Sequence, residues 1–268
     1  MATVLSVAGC ANVNAQLNPA KPHHTPEGFK KNYTSGGAKS PADLFRWQHQ
    51  RLRDGLPKAP QTPTPVAAPL LEFDQSKAVA ATMRPAITWA AHATMLVQAN
   101  GLHVSADPIF SERASPVQHW SARRVAHRSQ TLWGGGWAFF GSDTQRYFSG
   151  DTGYSQDFLD PQRRFADRQT PANGGGFDIV LIAAGAYEPH WFMKKHHVNP
   201  AEAVEVHKGL KAKRSVGVHW GTFTLIDQPL DQPPKELATA VREQNLAKKE
   251  FTLMAIGKTR TLPSRMAL

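Results

Sequence analysis

Short apolar runs after Pro85 predict a series of β-strands. Residues 177–183 are almost continuously apolar, as a strand buried on both faces requires. Asn100 and Gly101 form a strong hairpin signal between two of the runs. The predicted strands cover residues 87–90, 94–98, 102–106, 131–140, 146–149, 177–183, 215–218 and 251–256.

Three segments with apolar residues at helical spacing predict helices. Ser40 is suited to be an N-cap with Pro41 at the first helical position, which predicts a helix over residues 40–56. Asn199 as N-cap and Pro200 at the first helical position predict the start of a second helix. A third helix is predicted over residues 234–245. Because strands come first in groups and then alternate with helices, the predicted fold class is α/β, with sheet layers covered by helices.

The segments between these elements divide the chain into three predicted regions. Residues 1–39 hold a signal-like start and an extended arm rich in Pro, Gly, Lys and His. Residues 40–84 hold the first helix and a proline-rich, semi-rigid connector. Residues 85–268 form the predicted strand-containing domain.

The charge of the chain indicates an anionic partner. The 31 lysines and arginines exceed the 21 acidic residues, so the formal net charge is +10. Such a surface attracts phospholipid headgroups, a membrane surface, phosphorylated small molecules or nucleic acid. No nucleic-acid-binding module is readable, so no nucleic-acid partner is expected. No apolar run reaches the roughly 18 residues of a transmembrane helix.

The single cysteine, Cys10, excludes an intramolecular disulfide and lies in a sequence similar to a bacterial lipobox, LSVAGC. A lipoprotein signal has a basic start and a longer apolar stretch before the last four residues of that box, and only residues 1–6 precede those four here. Either the true start lies upstream or the match arises by chance. The predicted location is therefore the bacterial cell envelope, through a lipid on Cys10, or the cytoplasm.

Three polar clusters follow predicted strands, where loop side chains can converge. Asp151 could present its carboxylate to a metal ion, or it could form an Asx-type turn. His219 could bind zinc through one ring nitrogen, or it could be a hydrogen-bonded core histidine. His119 and Arg123 could serve a metal ion and a phosphate respectively, or they could lie in a solvent-facing loop.

Four further residues are weaker candidates for lining such a site. His92 lies between two predicted strands and could orient the site or cap a turn. His103 and Asp107 share strand parity, so they point to one face. His197 lies in a polar loop beside His196, where a solvated surface position is the default expectation.

Taken together, nine strings resemble one family, the metallo-β-lactamase-fold hydrolases similar to N-acylphosphatidylethanolamine phospholipase D. They occur in the family's order, and the resemblance runs from about residue 23 to residue 261. The strings are HHTPEGF (23–29), TWAAHAT (88–94), DPIFSERASP (107–116), HWSAR (119–123), TLWG (131–134), GDTGY (150–154), GAYEP (185–189), WFM (191–193) and HWGTF (219–223).

The resemblance implies an αββα sandwich with two zinc ions at one edge of its paired sheets. By that resemblance His119 binds one zinc ion, Asp151 bridges both, and His219 binds the other. Asp151 and His219 are then also the catalytic residues, and Tyr187 in the GAYEP string is a further site-lining candidate. The implied reaction is hydrolysis of a phosphodiester or lactone bond, with an anionic phospholipid or another phosphodiester as substrate.

One departure from the family pattern puts that activity in doubt. The family's first ligand group, a His-x-His-x-Asp-His loop, is expected between residues 116 and 119, and this motif occurs nowhere in the chain. We therefore expect that an internal block near residues 117–119 is missing and that the first half of the sandwich is incomplete. Weak metal binding or none, and impaired hydrolysis, are predicted.

Three functional hypotheses remain at this point. The chain is a metal-dependent hydrolase whose lost ligands are replaced by other residues. Alternatively, it is a catalytically inactive remnant of such a hydrolase. The third hypothesis is an envelope lipoprotein that binds anionic lipid without chemistry.

Overall fold

The structure of the protein, a computed structural model, describes part of the chain and divides it into two compact units. One unit comprises residues 1–35 and 114–133, and the other comprises residues 36–113 and 134–268. The described residues are 17–22, 24–26, 28–29, 33, 39–56, 84–91, 93–99, 102–106, 136–141, 144–222 and 226–262.

The first unit contains a small hairpin where an extended arm was predicted. Strand β1 (His24–Thr25) pairs antiparallel with β2 (Gly28–Phe29). The backbone amide of Asn18 also donates to Nδ1 of His24 at 3.1 Å. Each of these strands is only two residues long, and the extended arm stays a prediction.

The second unit is built from two sheets and five helices in its described part. Its strands are β3 (Ala86–Ala91), β4 (Thr94–Ala99), β5 (Leu102–Ala106), β6 (Trp137–Phe140), β7 (Gln145–Phe148), β8 (Ile179–Ala183), β9 (Ser215–Val218), β10 (Phe251–Leu253) and β11 (Thr259–Thr261). Its helices are α1 (Pro41–Arg53), α2 (Asp160–Arg164), α3 (His190–Met193), α4 (Pro200–Gly209) and α5 (Gln232–Glu243).

The larger sheet has the strand order β10-β9-β8-β7-β6. Strands β7 to β10 are parallel, and the edge strand β6 pairs antiparallel with β7. All five residues of β8 are buried, which explains why this strand reads as a continuous apolar run. Strand alternation then sends Tyr147 to one face and Phe148 to the other.

The smaller sheet is antiparallel, with the order β11-β3-β4-β5. Its buried side chains, including Ile87 and Met95, form one core cluster with Leu181 and Val216 of the larger sheet. The other face of the larger sheet packs on α4 and α5 through residues such as Val204 and Leu237. The predicted α/β class with paired sheets and covering helices is confirmed.

Most of the predicted elements that fall on described residues are confirmed. Ser40 caps α1 in a capping box with Asp43, and Asn199 caps α4 in the same way with Glu202. The final strand is a correction, since a single strand over residues 251–256 was expected. Strand β10 ends at Leu253, and the chain turns so that β11 joins the other sheet. Within the described residues, no helix is both long enough and apolar enough to cross a bilayer.

Candidate metal centre

The carboxyl ends of β7, β8 and β9 meet at one edge of the larger sheet, because the three strands are parallel. Asp151 comes three residues after β7, and His219 follows β9 directly. Pairing continues past the strand ends, since the Ser149 amide donates to Leu181 O and the Ala184 amide donates to Val218 O. The backbone therefore delivers Asp151 and His219 to the same edge.

A third polar side chain, His197, reaches this edge from a loop between two helices. Helix α3 ends at Met193, whose carbonyl accepts the amides of both His196 and His197. Asn199 then begins α4 as its N-cap. His197 is thus held between a tight turn and a helix start, and only 5% of it is exposed.

The three side chains converge. Nε2 of His219 lies 3.3 Å from Oδ1 of Asp151. The rings of His197 and His219 stack with their centroids 5.1 Å apart and an interplanar angle of 28°. One donor atom from each of the three residues lies within 4.8 Å of the others. Only 2% of His219 is exposed, whereas 13% of the Asp151 side chain reaches solvent, so the cluster opens on the carboxylate side.

Two close backbone approaches hold this cluster together. A Cβ on Gly185 would collide with the carbonyl oxygen of His219, and a Cβ on Gly153 would collide with the carbonyl oxygen of Lys194. The absence of a side chain at Gly185 lets the chain after β8 pack against His219. The absence of one at Gly153 likewise lets the Asp151 loop pack against the segment that leads to His197.

His219 adopts an unusual backbone conformation that its neighbours maintain. Its φ of 66° lies in the left-handed region, which costs a non-glycine residue on the order of 1 kcal/mol or more. The next residue, Trp220, is anchored by a hydrogen bond from its indole to Met254 O at 3.1 Å and by the Trp89 ring 6.1 Å away. The surrounding packing therefore fixes the direction in which the His219 ring points.

The donor set fits a divalent metal ion. Two imidazoles and one carboxylate, contributed by three separate loops, are the mixture that zinc and similar ions prefer. Three protein donors leave at least one coordination position of a zinc-like ion for a water molecule or a substrate oxygen. Of the sequence candidates, Asp151, His219 and His197 are the ones that the structure brings together.

The other candidate residues lie elsewhere or outside the described part of the chain. His103 is exposed on the edge strand β5. Tyr187 is fully buried and its hydroxyl donates to Oε2 of Glu236 at 2.7 Å. Burial, with that hydrogen bond, raises the pKa of Tyr187, so the phenol remains a protonated donor to α5. The residues outside the described part are Cys10, His92, Asp107, His119 and Arg123.

His197 lies deeper in the protein than its sequence context suggests. A solvated position was the default expectation for the His196-His197 pair, yet His197 is buried and His196 is half-buried. A usable signal was present, because His197 stands two residues before the Asn199 cap of a buried helix. A residue so close to the start of a buried helix is expected to pack against the core rather than to face solvent.

Residues 56–220 match the family model described as a Beta-lactamase superfamily domain, which is more than half of the chain. The chain belongs to this superfamily. It has a metallo-β-lactamase fold, and part of its sequence is similar to N-acyl-phosphatidylethanolamine-hydrolyzing phospholipase D.

Two curated relatives show this sequence similarity. A Caenorhabditis elegans protein, N-acyl-phosphatidylethanolamine-hydrolyzing phospholipase D 1, is 44% identical over 111 residues, which are 41% of this chain and 28% of the relative. The mitochondrial enzyme of the same description from Saccharomyces cerevisiae is 33% identical over 130 residues, which are 48% of this chain and 26% of the relative. The matched part therefore spans little more than a quarter of either relative.

Solved structures with a similar backbone trace include an isothiocyanate hydrolase from Delia radicum gut bacteria. That protein is 14% identical, with a TM-score of 0.45, and the match covers 66% of this chain and 99% of the other.

Proposed function

We propose that the chain is a metal-dependent phosphodiesterase of the phospholipase D type that acts on an anionic phospholipid. The convergence of Asp151, His197 and His219 at the open edge of the larger sheet carries this proposal. The lipid class comes from the relatives, whose names give N-acyl-phosphatidylethanolamine as substrate. Acylation of the ethanolamine nitrogen removes its positive charge, so such a lipid is an anion and suits a chain of net charge +10.

Each of the three side chains has a distinct role in this proposal. His197 and His219 supply neutral ring nitrogens, and Asp151 supplies the negative charge that balances a divalent cation. When bound, such an ion polarises a phosphoryl oxygen and generates a nucleophile from water near neutral pH. The exposed side chains of Lys194 and Lys195, whose backbone packs against Gly153, attract the phosphate to the open side of the cluster.

We infer one zinc ion and slow turnover rather than the two-zinc site that the family resemblance implies. Three donors suffice for a single catalytic ion with an open position. The sequence lacks the His-x-His-x-Asp-His motif, which we attribute to a missing internal block near residues 117–119. His119 is proposed as a further ligand and Arg123 as a phosphate contact, and Cys10 remains the proposed lipidation site.

Metal analysis of the purified full chain tests the proposal. We expect about one zinc ion per chain and slow, zinc-dependent cleavage of a soluble phosphodiester such as bis(p-nitrophenyl) phosphate. Asp151→Ala should abolish both, whereas the matched control His103→Ala, on exposed strand β5, should retain both. A chain that takes up no metal would instead support the inactive remnant.

A further inference from the structure

The side of helix α1 that faces the protein carries one large aromatic residue, Trp47. The half-buried residues of α1 recur at helical spacing and form one stripe along the helix. They are Asp43, Trp47, Gln50 and Arg51. Because Trp47 is the one aromatic member of this stripe and lies near its middle, it supplies the main apolar contact between α1 and the rest of its unit.

The ring of Trp47 contacts the His197 segment (residues 190–197). It stacks on the Phe192 ring, with the centroids 4.9 Å apart and an interplanar angle of 20°. Phe192 and Met193 belong to α3 and pack in a small apolar cluster to which Trp47 contributes. The carbonyl oxygen of Met193 accepts the backbone amide of His197 at 3.0 Å. The stack therefore holds the turn from which the His197 side chain projects.

The indole N–H of Trp47 contacts the His219 segment (residues 219–222 and 226–228). Its Nε1 donates to Oδ2 of Asp227 at 2.8 Å, and only 10% of the Asp227 side chain is exposed. Both neighbours of Asp227 are buried. Ile226 packs in the same apolar cluster as Trp47, and Gln228 accepts a backbone amide from the chain after β8 at 3.1 Å. Asp227 is therefore a fixed acceptor rather than a mobile surface group.

One side chain thus bridges the two segments that carry the imidazoles of the candidate metal centre. The stack uses the ring face of Trp47 and the hydrogen bond uses its Nε1, so both contacts exist together. The donor atoms of His197, His219 and Asp151 lie within 4.8 Å of one another. Ligand groups must stay within about 0.5 Å of their productive positions, so a shift of either segment weakens metal binding.

We propose that Trp47 is a positioning residue for the candidate metal centre, which holds the His197 segment and the His219 segment in a fixed relation. It acts through Phe192 and Asp227 rather than as a ligand. By thermodynamic linkage, a metal ion that binds between the two segments then stabilises the attachment of α1 in return. The inference rests on the proposed function for its purpose, because ligand geometry matters where a metal ion binds. The immobilisation of His197 also holds in the metal-free protein.

Chemical modification of His197 in the metal-free protein tests the positioning directly. The full chain in EDTA is treated with diethyl pyrocarbonate, and peptide mass spectrometry gives the rate at each histidine. His197 is 5% exposed and should react slowly in the wild type. In Trp47→Ala it should react roughly tenfold faster, because local opening of the α3 turn becomes easier. Trp47→Phe keeps an aromatic ring and loses the hydrogen bond to Asp227, so its rate should lie between the two.

Leu210→Ala is the matched control for a general loss of stability. Leu210 is fully buried in the core and lies at the end of α4 that is remote from His197. The variant should lower the free energy of unfolding at least as much as Trp47→Ala does. Its His197 should nevertheless react within about twofold of the wild-type rate. The exposed His103 on β5 provides the reference rate in every protein.

Metal titration provides a second readout that a general loss of stability does not change. Zinc should bind Trp47→Ala about tenfold more weakly than the wild type, measured by calorimetry. The visible absorption of the cobalt-substituted protein reports ligand geometry, and it should change in Trp47→Ala but not in Leu210→Ala. Zinc should also slow amide exchange in α1 of the wild type, as linkage requires.

Three results would overturn the positioning role of Trp47. One is a His197 modification rate in Trp47→Ala equal to that of the wild type. A second is an equal acceleration in Leu210→Ala. The third is unchanged zinc affinity in Trp47→Ala. A wild type that binds no zinc, but whose His197 is still released by Trp47→Ala, would contradict the proposed function and support the immobilisation of His197 by Trp47.

Discussion

Nε2 of His219 lies 3.3 Å from Oδ1 of Asp151, which joins the loops that follow β9 and β7. The two residues are 68 positions apart in the sequence, and the parallel pairing of β7, β8 and β9 brings them together. This contact gives the candidate metal centre its charge balance, and His197 stacks on the same imidazole.

Replacement of His197 tests whether it is a metal ligand or a core histidine. We expect His197→Ala to weaken zinc binding by about tenfold or more, because one of three close donors is lost. Calorimetric titration of the metal-free chain with zinc measures the change. His103→Ala, on the exposed edge strand, should titrate like the wild type. Unchanged zinc affinity in His197→Ala would assign the residue a packing role.

Gly185 is predicted to be intolerant of any side chain. In Gly185→Ala the new Cβ collides with the carbonyl oxygen of His219, so a backbone segment must shift. We expect the free energy of unfolding to fall by about 3 kcal/mol or more and zinc binding to weaken with it.

Denaturant unfolding measures the effect of Gly185→Ala against a matched substitution. Gly209→Ala is the control, since its Cβ meets Leu159 Cδ2 at an ordinary 3.5 Å at the end of α4. That variant should be neutral or slightly more stable. Equal stabilities for the two variants would contradict the proposed close approach.

His207 should make the fold sensitive to mild acid. Burial lowers the pKa of His207, with Glu250 partly opposing, and its Nδ1 lies 2.8 Å from Ser215 Oγ. The unfolded chain, with a histidine pKa of about 6.5, then binds the proton more readily than the folded chain. Stability attributable to His207 is therefore present above about pH 6.5 and is lost as the pH falls toward the lower folded value, by at most about 1.4 kcal/mol per pH unit.

Comparison of wild type with His207→Gln isolates this contribution. Denaturant unfolding at about pH 7.5 and about pH 5.5 should show a smaller loss of stability in His207→Gln than in the wild type. His103→Gln, an exposed histidine on β5, should follow the wild type. Parallel losses in all three proteins would assign the acid sensitivity to other groups.

Asp227 is predicted to be the main attachment point of α1. Asp227 accepts a hydrogen bond from the indole N–H of Trp47 and forms an ion pair with Arg51. Only 10% of its side chain is exposed. Asp227→Ala should cost about 1–3 kcal/mol and reduce amide protection in α1, measured by hydrogen exchange. Asp54→Ala removes the exposed partner of Arg53 and should change the stability by less than about 1 kcal/mol. Unchanged protection in Asp227→Ala would contradict this attachment.

The fold was largely predictable because its signals are local. The continuous apolar run of β8, the Ser40 and Asn199 caps and the strand before His219 can each be read within a few residues. Asp151 was identified because it follows a strand and is flanked by glycines, and His219 because it stands directly at the end of a strand. The partnership of His197 with them was not predictable, since it depends on a stacking contact between loops 22 positions apart and on the close approach at Gly153.

Strand β11 has a consequence for the order in which the protein folds. It pairs with β3, and the hydroxyls of Thr88 and Thr259 lie 2.8 Å apart although 171 positions separate them in the sequence. The smaller sheet therefore cannot acquire its edge strand during synthesis until residues 259–261 have left the ribosome. Such distant pairing is slow to form, so the nascent chain exposes the outer backbone edge of β3 to other chains until β11 has emerged and paired.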